Sequence, residues 1–507
     1  MACGGPVSRR LKYATLGLSL AAGLARAGGT PENVLLIIDP LDRRSLEVGH
    51  HYKAVRGIPD THVLYMEPGA ADYASFVQFN LPALFATIER RGLWGQVDYI
   101  VISSSDTFYL NAPNLVSDGC SPVTRFSLSG AYTLAFVADE ILAGGLTSAY
   151  GNRYFGGSNT PQRFDSEYSW LSGNPSNDPN ARRYFIGALL GYTGTRGNSA
   201  AETIAMIDRS AAVDGTRPAG TFYFMQTTDQ ARSGPRHNAY PAAVSAITNL
   251  GGQAEHLFAV LPEGRHDCLG IMTGIATLDV PSANLTILPG AFCDHLTSYA
   301  ATFDVGAQTK MSHWITNGAS GTWGTVEEPC NYPGKFPHAR AHVYYFQGMS
   351  LGESVFRSVS YAPFQGLLYG DPITRPHDHI PPPHPHHHRR QSPPGAGQRH
   401  HQPHPVRLHH EARRLDHLLR AVRGRAPIRR RLLLPDTHPR HHPPRRRLAR
   451  HAHPRLRQLA HHFHRQLGLA ARRQQPRPIR LDRRTENLGQ LEHRLHLRGR
   501  RRRTRTP

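Results

Sequence analysis

Lysine is absent from the carboxyl-terminal part of this chain. Residues 376–507 hold 33 of the 59 basic residues, every one of them arginine, and 7 of the 37 acidic residues. They also hold 22 of the 32 histidines, no cysteine, tryptophan or tyrosine, and Phe463 as their one phenylalanine. So few large apolar side chains cannot offset the entropy of ordering a chain, and we therefore expect a tail that is disordered or forms unrelated short helices.

Three interpretations of this tail are open. An arginine-rich arm could bind RNA, and the histidine tract His386–His388 could hold a metal ion. Evolved basic arms normally mix lysine with arginine, however, whereas arginine, histidine and proline are what a GC-rich gene yields in a wrong reading frame. We favour out-of-frame translation. The net charge of +22 belongs to the tail, because residues 1–375 carry a net charge of −4, and we expect no nucleic-acid partner for that body.

Long apolar runs are also lacking. None reaches the roughly 20 residues that a membrane-spanning helix needs. At the amino terminus, basic residues at positions 9, 10 and 12 precede an apolar run over 14–24 and the triplet Ala25-Arg26-Ala27. This layout predicts a secretory signal peptide over residues 1–27, cleaved after Ala27, and export to the periplasm, the cell envelope or the extracellular space.

Cysteine is scarce, with five residues in the whole chain. Cys3 would leave with the signal peptide, so that Cys120, Cys268, Cys293 and Cys330 remain. An oxidising compartment permits disulfides, and four cysteines allow three pairings, among which the sequence does not choose.

Between residues 28 and 375, apolar runs alternate with amphipathic segments. Predicted strands cover 34–38, 62–66, 97–102, 221–225, 256–261 and 285–288, and predicted helices cover 46–56, 81–91, 200–211, 241–250 and 309–317. The alternation predicts an α/β fold with a mostly parallel sheet and helices on both faces. We expect two packed lobes, at about 28–143 and 181–375, with a loop-rich insert at 144–180.

The common cofactor and catalytic signatures are missing. Gly187 and Gly191 lack the spacing and the strand-turn-helix context of a dinucleotide fingerprint, and the chain has no Gly-Lys-Ser/Thr phosphate loop. It also has no His-Glu-x-x-His, and its one Gly-x-Ser-x-Gly match, at residues 348–352, does not follow a predicted strand as a nucleophile elbow would. We therefore predict no cofactor and no metal site.

Unusual residues are densest in two segments near the end of the body. The segment 289–298 follows a predicted strand, where ligands gather in parallel sheets, and a glycine-rich segment covers 318–330. If the protein binds or processes a ligand, we predict that both segments line one cleft; the alternative, which we favour for the glycines, is a tight structural crossover. The candidate binding residues are Asp294, His295, Ser298, Gly318, Ser320, Gly321, Thr322, Glu327 and Glu328.

Several motifs resemble a family of exported bacterial proteins from genomes with the exosortase and PEP-CTERM sorting system. The resemblance covers about residues 33–376 and implies a cellular context, because no activity is established for that family. It is carried by the following segments: Gly57-Ile58-Pro59, Gly290-Ala291, Asp294 to Ser298, Gly318-Ala319, Glu328-Pro329-Cys330, Lys335 to His338, Gly348, Ser350 to Glu353 and Gly370-Asp371-Pro372.

A more distant resemblance links residues 348–354 and 367–372 to the end of the gingipain-like cysteine peptidases, whose fold is caspase-like. That resemblance implies two caspase-like lobes and a catalytic pair in which the imidazole of His266 manages protons for the thiolate of Cys293. The chain departs from the family pattern where Asp267 replaces a glycine, and the 27-residue spacing of the pair is short.

We therefore expect an exported accessory or binding protein without catalytic activity on a peptidase-like scaffold. Components of the cell envelope or extracellular matrix are its candidate partners. The alternative is a cysteine peptidase or another hydrolase that uses His266 and Cys293. A third interpretation is a protein whose function depends on its basic tail.

Overall fold

A ten-stranded sheet forms the centre of the protein. It is seen in a computed structural model that describes residues 29–116, 123–144 and 150–378. These residues all belong to the compact unit Met1–Arg425. The predicted signal peptide and almost all of the predicted tail lie outside the described residues.

Strands are numbered here in chain order. They are β1 Val34–Ile38, β2 Val63–Tyr65, β3 Tyr99–Ile102, β4 Tyr109–Val116, β5 Val123–Ser127, β6 Trp170–Leu171, β7 Asn174–Pro175, β8 Ile186–Leu189, β9 Thr221–Met225, β10 Gln253–Leu257, β11 Cys268–Gly274, β12 Ile287–Leu296, β13 Gly321–Thr325 and β14 Gly366–Gly370. Strands β4 and β5 form an antiparallel pair, as do β6 and β7 within the loop-rich insert, and the other ten strands form the large sheet.

The large sheet consists of two half-sheets. Its strand order is β10-β9-β11-β12-β13-β14-β8-β3-β1-β2, and every neighbouring pair is parallel except β13 with β14. The first half-sheet (β1, β2, β3, β8, β14) and the second (β9, β10, β11, β12, β13) therefore run in opposite directions. Numbered along the chain from one to five, each has the order 2-1-3-4-5 of a doubly wound fold. A two-fold axis between β13 and β14 would produce this arrangement.

Helices cover the sheet on both faces, as the sequence predicts. They are α1 Arg43–Arg56, α2 Tyr73–Ser75, α3 Leu81–Arg91, α4 Leu128–Thr133, α5 Ala138–Leu142, α6 Ala200–Ala212, α7 Gln230–His237, α8 Tyr240–Asn249, α9 Ser312–Thr316, α10 Arg340–Phe346 and α11 Leu351–Ser358. None of these helices is long and apolar enough to cross a membrane.

Local sequence explains the first βα unit. All five residues of β1 are buried, as a continuous apolar run in a central parallel strand requires. Helix α1 starts where the carboxylate of Asp42 accepts a hydrogen bond from the backbone of Arg44, and it ends at Gly57 in the left-handed conformation, with φ of 70°.

A buried ion pair ties this unit to the last strand. Arg56 lies at the end of α1, and Asp371 directly follows β14. The Nε of Arg56 donates a hydrogen bond to Asp371 at 2.7 Å. The side chain of Asp371 is inaccessible to solvent, and Arg56 also pairs with Asp214. Three distant parts of the chain therefore meet at one guanidinium group.

Some predicted boundaries are wrong. The strand expected to stop at Leu288 continues to Leu296. Gly290 adopts φ of 86°, a conformation that glycine tolerates, and the strand can therefore continue past Pro289. The helix expected over 309–317 is confined to Ser312–Thr316. The strand expected at 256–261 lies at Gln253–Leu257 instead, which leaves Phe258 in an exposed turn.

Candidate functional site

The strands β9, β11 and β12 end side by side at one edge, called here the carboxyl edge of the second half-sheet. After β9 the chain goes to β10 on one side and then to β11 on the other, so that the topological switch point lies between β9 and β11. Open α/β sheets bind ligands at such a point, because the connecting loops diverge there. Helix α7 crosses this edge, and the site is built around it.

Hydrogen bonds fasten α7 to all three strand ends. The hydroxyl of Ser233 in α7 accepts from the backbone of Thr227, which follows β9, at 3.1 Å, and the hydroxyl of Thr227 donates to the carbonyl of Gly274 in β11 at 2.6 Å. Arg232, in the first turn of α7, donates from Nε to the hydroxyl of Thr297 after β12 at 3.0 Å. A methyl group on Gly274 would lie 2.3 Å from the carbonyl oxygen of Arg232, so only glycine allows α7 to pass this close to β11.

Arg232 lies within a polar network at the surface. Its Nη1 donates to Asp229 at 2.9 Å, and their side chains are 26% and 21% exposed. The hydroxyl of Thr297 in turn donates a hydrogen bond to Oε1 of Gln308 at 2.6 Å. Gln308 has φ of 62°, and such strained backbone in a non-glycine residue is concentrated at functional sites. Among the described residues, Nη2 of Arg232 has no hydrogen-bond partner, and it remains free for a ligand.

Beneath this network lies a second arginine–aspartate pair. Arg236 of α7 contacts Asp294 of β12, and their side chains are only 2% and 0% exposed. Arg236 also donates to the carbonyl of Thr273 at 2.6 Å. Burial raises the pKa of Asp294, and the guanidinium of Arg236 opposes that rise. Oδ1 of Asp294 and Nε of Arg236 have no hydrogen-bond partner within the described parts of the chain, which is uncommon for buried polar atoms.

His295 points to the other face of β12, as strand alternation requires. Its Nδ1 accepts a hydrogen bond from the indole of Trp314 at 3.0 Å, and Nε2 lies 3.0 Å from the carbonyl oxygen of Thr309. These partners fix a neutral ring with the proton on Nε2. Burial lowers the pKa of His295 to about 3. The ring is therefore a structural tie that forms no pair with Asp294.

The central part of the glycine-rich segment is a buried strand and not an open loop. All residues of β13, including Gly321 and Thr322, are buried. Gly318 and Ser320 lead into it, and the hydroxyl of Ser320 accepts from the backbone of Gly290 at 3.0 Å. Strand β13 lies next to β12, which places these residues near Asp294, but they form sheet and no cleft wall.

The remaining predicted binding residues accept hydrogen bonds from other residues of the body. The carbonyl oxygen of Ser298 accepts from the hydroxyl of Thr325 at 3.0 Å. Glu327 accepts from the backbone of Thr124 at 2.9 Å, and Glu328 accepts from the backbone of Cys330 at 3.1 Å.

His266 and Cys293 are not brought together. His266 is exposed ahead of β11, with Nδ1 3.0 Å from the hydroxyl of Thr286. Cys293 lies inside β12 opposite Ile271 and is inaccessible to solvent. The five steps along the chain from His266 to Ile271 span up to about 16 Å of extended backbone. Burial also raises the pKa of Cys293 well above its ordinary value.

The thiols are otherwise ordinary core groups. Cys268 and Cys293 are free and buried, whereas Cys330 is disulfide-bonded. No group of three histidine, cysteine, aspartate or glutamate side chains in 29–116, 123–144 and 150–378 is arranged to hold a metal ion.

The arginines of this site were missed by sequence reasoning. The polar turn Thr227-Thr228-Asp229 follows a predicted strand, and this is the signal by which the sequence could have indicated a strand end that faces a ligand. Arg236 gives no local signal, because its partner Asp294 is 58 residues away.

The first half-sheet has its own switch point, between β1 and β3. There the hydroxyl of Ser104, directly after β3, is buried without a hydrogen-bond partner among the described residues, whereas neighbouring serines are paired. Ser45 accepts from the backbone of Asp39 at 3.1 Å, and the hydroxyl of Ser103 donates to the carbonyl of Ser45 at 2.7 Å. No unpaired charged group is left buried beneath that edge among the described residues, so the second half-sheet is the stronger candidate.

Comparison with known proteins adds no relative. No protein-family model, curated protein or solved structure matches the chain.

Proposed function

We propose that this chain is an exported binding protein without catalytic activity, and that its ligand site is the carboxyl edge of the second half-sheet. The stacked pairs Arg232–Asp229 and Arg236–Asp294 at the switch point are the observation that carries the proposal. A partly exposed guanidinium with a free Nη2 suits a ligand that carries a carboxylate or another strong hydrogen-bond acceptor.

The arrangement of the cysteines favours binding over thiol catalysis. A nucleophilic cysteine needs a thiolate, a nearby base and access for the substrate. Cys293 is fully buried, and burial raises its pKa well above the ordinary value. The alternative function, a cysteine peptidase, therefore has no assembled pair on which to rest.

Export and membership of the exosortase-associated family belong to the same proposal. Their support is the amino-terminal pattern at residues 9–27 and the motifs from Gly57 to Pro372. A ligand from the cell envelope or extracellular matrix would agree with that location. Amino-terminal sequencing of the secreted protein tests export, because it should start at Gly28.

Crystal soaking with a fragment library of small carboxylates, amides and sugars tests the binding site. We expect carboxylate fragments to contact Arg232 and the neighbouring Thr228. Arg232→Ala should weaken their binding about tenfold or more, the loss expected for one hydrogen bond to a charged group. Arg44→Ala, an exposed arginine at the other half-sheet, is the matched control. Fragments that bind only elsewhere would contradict the proposal.

A peptidase assay tests the alternative function. The full chain is incubated with a mixture of unstructured casein peptides, with and without iodoacetamide, and compared with Cys293→Ala. We expect no cleavage in any sample. Cleavage that disappears in Cys293→Ala would establish the peptidase and refute the non-catalytic assignment.

A further inference from the structure

Strand β10 is an open edge of the large sheet. It pairs along its whole length with β9, from Gln253 opposite Thr221 to Leu257 opposite Met225. It stands at the end of the strand order, and no other described strand pairs with its outer side. Edge strands of this kind are templates for pairing with another chain.

The outward backbone groups of β10 can be identified. The carbonyl oxygen of Leu257 accepts from the backbone of Gln226, which follows β9, so Leu257 points inward. In a parallel strand both backbone groups of a residue point the same way, and the direction alternates. Ala254 and His256 therefore present their N–H and C=O groups to the open side.

Protection against pairing is weak along this edge. The strand contains no proline and no lysine, and its register with β9 shows no bulge. Proline, lysine and bulges are common means of blocking an edge, and the acidic side chain of Glu255 is the feature of this strand that restricts which partner can pair.

Exposed apolar side chains flank both ends of β10. Leu250, ahead of the strand, is 50% exposed, while Phe258 and Val260, after it, are 79% and 37% exposed. Large exposed apolar residues are otherwise scattered over the described surface. Around β10, exposed apolar side chains lie on both sides of five residues whose outer backbone edge is unpaired among the described strands. Surfaces that bind an extended peptide combine these two features.

The occupant must suit Glu255 at the centre of the strand. Glu255 is partly exposed and has one basic neighbour, Arg265, at 3.2 Å. A second copy paired antiparallel about this residue would place Glu255 against its own counterpart in the closest type of cross-strand pair, where like charges repel.

We propose that β10 binds an extended peptide segment of another protein as an eleventh strand. The segment carries a lysine or arginine opposite Glu255 and apolar residues that cover Phe258 and Leu250. This surface is separate from the ligand site at Arg232, and neither proposal depends on the other.

Fluorescence anisotropy with the full chain tests this proposal. The probe is labelled Val-Thr-Val-Lys-Val-Thr-Val. It is compared with the same peptide carrying glutamate in place of lysine, and with one carrying proline in place of both the lysine and the valine before it, because two successive prolines remove a backbone donor in either strand orientation. We expect saturable binding in the order lysine, glutamate, proline, because glutamate faces Glu255 and proline removes a backbone donor. Glu255→Lys should weaken the lysine peptide and strengthen the glutamate peptide, each about threefold to tenfold.

Glu263→Lys, an exposed carboxylate in the turn after β10, is the matched control and should change neither affinity by more than about twofold. Thermal unfolding shows whether each variant is folded. Absence of saturable binding by all three peptides overturns the proposal, as does equal binding of the lysine peptide by Glu255→Lys. A concentration-dependent dimer in sedimentation that Ala254→Pro abolishes would assign the edge to a second copy and would also overturn it.

Discussion

Trp314 donates its indole N–H to Nδ1 of His295 at 3.0 Å, and this bond links helix α9 to the middle of the large sheet. Both residues are almost inaccessible to solvent. The bond gives His295 a structural role, and the ring forms no ion pair with the neighbouring Asp294 in β12.

Removal of this donor should destabilise the fold. Trp314→Phe leaves Nδ1 of His295 buried without a partner, and we expect a loss of about 1–3 kcal/mol in the free energy of unfolding. Urea denaturation measures it. Trp94→Phe is the control, because the indole of Trp94 bonds to Glu89 at the surface, and its loss should be within about 0.5 kcal/mol. Equal losses in the two variants would refute the structural role of the bond.

Stability should fall in acid because of buried histidines. Burial lowers the pKa of His342 to about 3, whereas an unfolded histidine titrates near 6.5. Below pH 6.5 the unfolded chain binds a proton that the folded chain refuses until about pH 3. The stabilising contribution of the neutral ring is therefore complete above pH 6.5 and is lost progressively as the pH falls.

The variant His342→Phe isolates this contribution. Neither ring nitrogen of His342 has a hydrogen-bond partner among the described residues, and the ring contacts Phe222, Phe224 and Phe292. The loss of unfolding free energy between pH 7 and pH 5 should shrink by about 2 kcal/mol. Urea titrations at both pH values measure it, with the exposed His266→Gln as control. An unchanged difference in His342→Phe would contradict the prediction.

Breaking the ion pair between Arg56 and Asp371 should lower the free energy of unfolding strongly. Asp371→Asn leaves the guanidinium of Arg56 buried with one carboxylate instead of two, and we expect a loss of about 3–5 kcal/mol. In contrast, Asp60→Asn breaks an exposed pair with Lys53, whose charges water already screens, and should lower the free energy of unfolding far less. Thermal and urea unfolding compare the two. A small effect of Asp371→Asn would show that the pair does not hold α1 to β14.

Gly187 should not tolerate alanine. A methyl group there would lie 2.1 Å from the carbonyl oxygen of Ser129, because α4 packs directly on β8. We expect Gly187→Ala to cost about 1–3 kcal/mol. At Gly157 a methyl group meets nothing within 4 Å, and Gly157→Ala should be nearly neutral. Circular dichroism during thermal unfolding measures both, and similar melting temperatures for the two variants would disprove the close approach.

How far the sequence predicts the site can be judged from β12 and β13. The apolar run before Pro289 announces a strand, and Asp294 and His295 stand out as polar residues within it. The glycines of β13 give no strand pattern, because glycine has a low strand propensity and carries no side chain to alternate. Their reason is visible only in the fold, where a methyl group on Gly321 would lie 2.6 Å from Leu351.

By itself the sequence determined the α/β class, the apolar parallel strands such as β1, and the contrast in composition between the body and residues 376–507. These properties depend on local periodicity and on residue types, which are readable along the chain. Tertiary structure alone decided that β14 joins the first half-sheet, that Arg236 pairs with Asp294, and that Cys293 is enclosed. Each of these results depends on contacts between residues that are distant in sequence, and the local pattern around a residue does not specify its distant partner.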